Sequence, residues 1–142
     1  MYSMRPVGFA GTLFNEISQV PKGRVAKHEA EGSIEIDPEG EQGLADVKGF
    51  SHRYVIWVFH ASQGYDLTFT SPTEDRPHGV FATRSPRLPN PPGLTMVRLL
   101  GREGRALRVR GLDRLDGTPV LDIKPYLLNV PESELRRGQM NL

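Results

Sequence analysis

Apolar positions along the chain fall in short runs separated by Gly, Pro and Asp, and almost nowhere at helical spacing. The most apolar run, RYVIWVFH at 53–60, places Tyr54, Ile56 and Val58 on one face of an extended chain and Val55, Trp57 and Phe59 on the other. Side chains alternate along a strand, so this run is expected to be buried on both faces, inside a barrel or under a second layer. Further strands are predicted at 7–14, 33–36, 67–70, 80–83, 94–100, 106–112 and 119–123. The single helical candidate is the tail PESELRRG, where Glu132 precedes Arg136 by one helical turn. Many short strands between regular turn signals predict an all-β fold, a single small β-barrel with long ordered loops and at most a short C-terminal helix.

A length of 142 residues accommodates one domain, here taken as 1–142, with a sizeable core. The absence of cysteine removes disulfides and thiolate metal sites and fits a reducing compartment. No apolar run reaches membrane-spanning length, and the start MYSMRPVGFAG lacks a signal-peptide core, so a soluble cytoplasmic domain with no membrane partner is expected.

Charge changes the picture more. The net charge of +1 hides a split, with 6 Lys/Arg against 11 Asp/Glu in residues 1–75 and 12 against 6 in residues 76–142. Residues 76–110 hold eight arginines and one acid, Glu103. Arginine's planar fork suits phosphates and carboxylates. Two readings stand side by side: a solvated basic face, especially for Arg102, Arg105 and Arg108, and a surface for a polyanion such as nucleic acid.

Most familiar chemical motifs are missing. Gly101-Arg102-Glu103-Gly104 lacks the spacing and the Lys-Ser/Thr of a phosphate-binding loop, and GFAG at 8–11 is too short for a dinucleotide fingerprint. His52 and His60 are separated by eight residues of strand, more than about 20 Å, so they cannot share a metal, and no metal is expected. No nucleophile elbow supports a serine triad. One segment does stand out: ATRSPRLPNPPG at 82–93 carries four prolines and two arginines. Proline fixes φ and removes a donor, so this stretch is expected to be an ordered, extended loop.

DRPHGVFATRSPRLPNPPGL (75–94) and GLDRLDGTPVLDIKPY (111–126), with FSHRYVIWVFH (50–60) and PVGFAGTLFNE (6–16), closely resemble the signature blocks of the TsaA-like family, the TrmO-type tRNA (adenine-37) N6-methyltransferases. The resemblance spans nearly the whole chain. It implies a single-barrel methyltransferase that uses S-adenosylmethionine, acts as a homodimer, and methylates N6 of threonylcarbamoyl-adenosine beside the tRNA anticodon. By position it assigns cofactor contacts to Thr12, Leu13 and Phe14, to Ser51 and His52, to Arg76, and to Gly111, Leu112 and Asp113. Two departures from the family pattern are Leu88 for an arginine and Pro92 for an isoleucine.

Physical reading adds roles beside the resemblance. Phe14 or His52 can cover an adenine, and Ser51 offers a hydrogen bond. Asp113 either serves the cofactor's ammonium or ribose, or bonds its own backbone in a turn. Arg84, with Arg87, clamps the cofactor carboxylate or a tRNA phosphate, Arg84 having a structural pairing with Asp75 as its alternative. Arg87, Asn90 and Lys124 are nucleic-acid candidates. Asp122, Lys124 and Tyr126 alternate onto one strand face, and Asp122 and Tyr126 are the candidate proton acceptors for N6. Two functions remain open: the tRNA methyltransferase, and an S-adenosylmethionine-binding module or methyltransferase for another acceptor that has lost the tRNA site.

Overall fold

The computed structural model describes residues 1–20, 29–58, 67–70, 75–82, 90, 92–127 and 130–136. Its strands are β1 (Gly8–Gly11), β2 (Glu31–Ile36), β3 (His52–Val58), β4 (Thr68–Phe69), β5 (His78–Gly79), β6 (Pro92–Glu103), β7 (Ala106–Arg110) and β8 (Pro119–Pro125). Six of them form one sheet in the order β1-β2-β7-β6-β3-β8, and β1 pairs with β8 as well as β2, so the order closes on itself. The closing seam is short, two residue pairs, Gly8 with Val120 and Phe9 with Pro119. β4 and β5 form a separate two-stranded ladder.

β6 serves two neighbours. Its first half, Pro92 to Arg98, pairs with β3, and its second half, Arg98 to Glu103, pairs with β7. The register slips between Leu99 and Gly101. One extra residue there bends the strand and raises its twist, which lets the sheet curl. The inward positions are mostly β-branched: Ile34, Val55, Val97, Val109 and Val120 are almost fully buried, together with Leu107 and Leu112. Such side chains suit extended backbone and fill a narrow interior.

β3 departs from its predicted environment. Val55 and Trp57 are buried, but His52, Tyr54, Ile56 and Val58 on the other face are only half-buried. The alternation identified the strand through Val58, Phe59 and His60 lying outside the described residues, and overstated its second layer. The predicted strand at 80–83 is also corrected: Val80–Ala82 is a 3₁₀ turn following the short β5, with Val80 buried and Phe81 exposed. In the tail, the described residues contain a single 3₁₀ turn, Glu132–Glu134, after which Leu135 is extended, in place of the predicted helix. A 3₁₀ stretch at Pro38–Leu44 was not anticipated. Pro38 fixes its first turn, and Leu44 and the following Val47 drop into the core.

Two predicted strands stop early. β1 ends at Gly11 instead of 14, and β7 at Arg110 instead of 112. In both cases the residues beyond turn out of the sheet and build loops at its end.

Candidate functional site

The end of β1 and the loop before β8 lie about a hundred residues apart in sequence and are stitched together by polar contacts. The Thr12 amide donates to Asp116 Oδ1 at 2.9 Å, and Thr12 Oγ1 donates to the Arg114 carbonyl at 2.7 Å. The Asp116 amide donates to the Phe14 carbonyl, and Gly117 and Ala10 complete the ladder. Gly117 has φ +79°, the positive value expected of the glycine in the DGTP turn. Thr118 Oγ1 closes that turn on the Leu115 carbonyl at 2.6 Å.

Beneath the turn sits Arg114. Its guanidinium lies 3.6 Å from the centroid of the Trp57 ring, ion-pairs with Asp113 Oδ1 at 2.8 Å, and donates to Thr95 Oγ1 at 2.9 Å. Trp57 Nε1 donates to the same Thr95 hydroxyl at 2.9 Å. Burial lowers the Arg114 pKa, and the Asp113 carboxylate opposes that shift by charge and hydrogen bond. Sequence spacing alone pointed to none of these partners.

An open groove of about 400 Å³ runs beside Thr12 and Asp116, lined also by Leu13, Glu31, Ser33 and Arg108. Leu13 is 87% exposed there. Gly11 and Gly32 allow β1 and β2 to approach along the groove floor: a Cβ on Gly32 would lie 2.9 Å from the Gly11 carbonyl oxygen.

A second cluster lies on the outer face of β3. Ser51 Oγ is 2.8 Å from His52 Nδ1. Tyr126 donates its backbone N–H to the His52 carbonyl and packs edge-on against Tyr54, with centroids 5.4 Å apart. Asp122 and Lys124 stand opposite Ile56 and Tyr54 on β8 and form an ion pair of 2.8 Å, and Asp122 Oδ1 also accepts the Ile123 amide. The three alternating residues Asp122, Lys124 and Tyr126 therefore share the outer face with the Ser51–His52 pair.

The structure thus divides the sequence candidates. Thr12, Leu13, Phe14, Gly111, Leu112 and Asp113 gather around the turn, while Ser51, His52, Asp122, Lys124 and Tyr126 gather on the outer face. Within the first group, Leu112 is a core side chain, 1% exposed, and its amide is spent on the Ala30 carbonyl, as is that of Gly111. The buried Asp113 carboxylate holds Arg114, a partner that neither of its two anticipated roles named. Arg76 and Asn90 are exposed. Arg84 and Arg87 lie outside the described residues, as does Leu88. Glu31, Ser33, Arg114 and Asp116 were missed. Asp116 carried a signal, the Asp-Gly turn dipeptide, whereas Arg114 carried none. Among the described residues no three His, Asp or Glu side chains cluster as metal ligands would.

Comparison with known proteins places this geometry. Residues 9–131 match the family described as the tRNA-methyltransferase O N-terminal domain. A probable S-adenosyl-L-methionine-binding protein of Pyrococcus abyssi is 44% identical over 138 residues, which cover 97% of this chain and 73% of that protein. The tRNA (adenine(37)-N6)-methyltransferase of Mus musculus is 43% identical over 90 residues, 61% of this chain and 21% of the mouse protein. The crystal structure of TrmO from Pseudomonas aeruginosa superposes with a TM-score of 0.77 at 34% identity, covering 97% of this chain and 62% of that one. The match runs from β1 through β8, across both clusters, and on its strength the chain belongs to the tRNA-methyltransferase O N-terminal domain family.

Proposed function

We propose that this chain is an S-adenosylmethionine-dependent methyltransferase acting on N6 of threonylcarbamoyl-adenosine at tRNA position 37. The observation that carries the reading is the junction of Thr12–Phe14 with Arg114–Asp116, which brings two of the family-like sequence blocks to one groove. The family match and the name of the mouse relative support the acceptor.

The groove's chemistry fits the cofactor. S-adenosylmethionine carries a sulfonium, an ammonium and one carboxylate, a net positive charge, and the groove offers the carboxylates of Glu31 and Asp116 beside the hydroxyls of Thr12 and Ser33. Glu31 and Asp116 would receive the cationic end and the ribose hydroxyls, and the exposed Leu13 would cover apolar surface. When bound, the cofactor supplies an electrophilic methyl group. The chain's own task is orientation, because an adenine N6 lone pair is delocalised and reacts only when held in line, a contribution of up to several kcal/mol. Asp122, fixed by Lys124, takes the N6 proton on its carboxylate; Tyr126, braced on Tyr54, borders that position.

The working unit in this reading is a homodimer. Tyr54, Ile56 and Val58 lie half-buried beside Leu94 and Met96, which are 42% and 37% exposed, giving β3 and β6 an apolar outer face. A second copy on that face supplies the missing layer and walls the shallow site, with Ser51 and His52 at its rim. Met96→Arg is expected to give a monomer in sedimentation velocity and to weaken cofactor binding at least tenfold by calorimetry. A verified monomer with unchanged affinity would refute the shared site.

A second reading is favoured by the naming of the Pyrococcus relative for binding alone: an S-adenosylmethionine-binding module, or a methyltransferase for another acceptor. Labelled S-adenosylmethionine incubated with total tRNA separates the two. Label confined to tRNA from cells that make threonylcarbamoyl-adenosine, and absent from tRNA of cells that cannot, is the expected result. Label in neither pool, despite cofactor binding, selects the second reading.

A further inference from the structure

The eight arginines of residues 76–110 are not equivalent once folded. Arg102 donates to the Gly104 and Leu44 carbonyls, and Arg105 to the Ile36 carbonyl with Glu35 nearby, so these two brace loops. Arg98, Arg108 and Arg110 instead point outward from β6 and β7, alternating with the buried Val97, Leu107 and Val109. Arg98 stands directly opposite Arg110 across the β6–β7 ladder, and His52 stands opposite Arg98 on β3. Like charges facing each other across a ladder destabilise it. Only Arg110 has an acid in reach, Glu31 at 3.2 Å; Arg98 and Arg108 have no polar partner among the described residues.

A sheet that tolerates this arrangement leaves its positive charge for something brought from outside. From this row we infer that Arg98, Arg110 and Arg108 form a track for consecutive phosphates of an RNA backbone, leading along the outer face to the Ser51–His52 pair. The inference rests on the tRNA reading above and adds the surface on which the RNA lies. The cofactor does not supply the counter-charge: it carries one carboxylate and a net positive charge, against three guanidiniums. Arg98 and Arg110 stand on open strand surface and Arg108 lines the open groove beside them, a row that suits a chain of phosphates met one by one through arginine's forked donors. Arg108 and Arg110 are two residues apart, about 7 Å along the strand, and Arg98 lies one strand spacing away, so the three charges form a short bent line.

The experiment is a salt titration of binding to total tRNA by fluorescence anisotropy, without cofactor, so that any part these residues play in cofactor binding is not read. Removing one phosphate-neutralising arginine lowers the slope of log K against log [salt] by about 0.7–0.9. Arg98→Ala/Arg108→Ala is expected to flatten the slope by roughly 1.4–1.8 and to weaken binding at physiological salt at least tenfold. Glu31→Gln, which removes the acid from the row, is expected to tighten binding severalfold and provides a gain-of-binding check that misfolding cannot imitate. Wild type and the double variant binding tRNA with the same slope would overturn the track while leaving the methyltransferase reading intact. Wild type binding no tRNA at any salt would overturn both.

Discussion

Arg114→Ala is expected to destabilise the protein by about 3–5 kcal/mol, the usual cost of removing one partner from a buried ion pair. The substitution takes the Arg114 cation away from the Asp113 carboxylate, 7% exposed, removes the guanidinium stacked 3.6 Å over Trp57, and takes one donor from the Thr95 hydroxyl. A loss of that size lowers the folded-to-unfolded ratio by about two to four orders of magnitude, a large share of the about 5–15 kcal/mol that stabilises a domain of this kind. Urea unfolding followed by tryptophan fluorescence reads the effect directly, because the sole Trp is the stacking partner. Arg114→Lys keeps the charge but loses the planar fork and much of the stacking, and falls between wild type and alanine. Asp113→Asn in the Arg114→Ala background restores part of the stability, since a buried negative charge goes with it. An alanine variant within about 1 kcal/mol of wild type would show that the cluster is not a structural hub.

Asp122→Asn is expected to lower the methyl-transfer rate by about 10²–10⁴-fold in single-turnover assays, the range for loss of a general base, with cofactor affinity unchanged. The effect cannot be laid to unfolding. Asp122 and Lys124 are 46% and 60% exposed, and an exposed ion pair contributes at most about 1 kcal/mol. Lys124→Ala leaves the carboxylate in place and serves as the control: a rate loss equal to that of Asp122→Asn would point to orientation by the pair, with no role for the carboxylate as proton acceptor. Tyr126→Phe tests the neighbouring hydroxyl while keeping the ring packed on Tyr54. Full activity in Asp122→Asn would remove Asp122 from the mechanism.

Both predictions rest on side chains whose sequence signals differ sharply. Asp122, Lys124 and Tyr126 alternate in LDIKPY, and period-two alternation on β8 placed Asp122 and Lys124 on one face, as the structure has them. Arg114 follows Asp113 in a loop, where no periodicity speaks for its direction. Its aromatic partner is 57 positions away, and their meeting depends on where β3 ends relative to β8. The arginines show the same divide. Their clustering in residues 76–110 was plain, but whether each one braces a carbonyl or faces outward was settled by register, Arg105 toward Ile36 and Arg98 toward Arg110.

What the sequence determined by itself was local or repetitive. The strands at 53–58, 94–100 and 119–123, the mostly β class and the family-like blocks follow from alternation and long motif matches. Tertiary structure decided the rest: the early ends of β1 and β7, the 3₁₀ turn at Val80–Ala82, the half-open outer face of β3, and the meeting of Thr12 with Asp116. The reason is physical. Alternation says that two faces of a strand differ or match in polarity, but not what covers them. Which residues meet across a hundred positions is set by strand order and register, through backbone hydrogen bonds that every sequence can make and that no single stretch specifies.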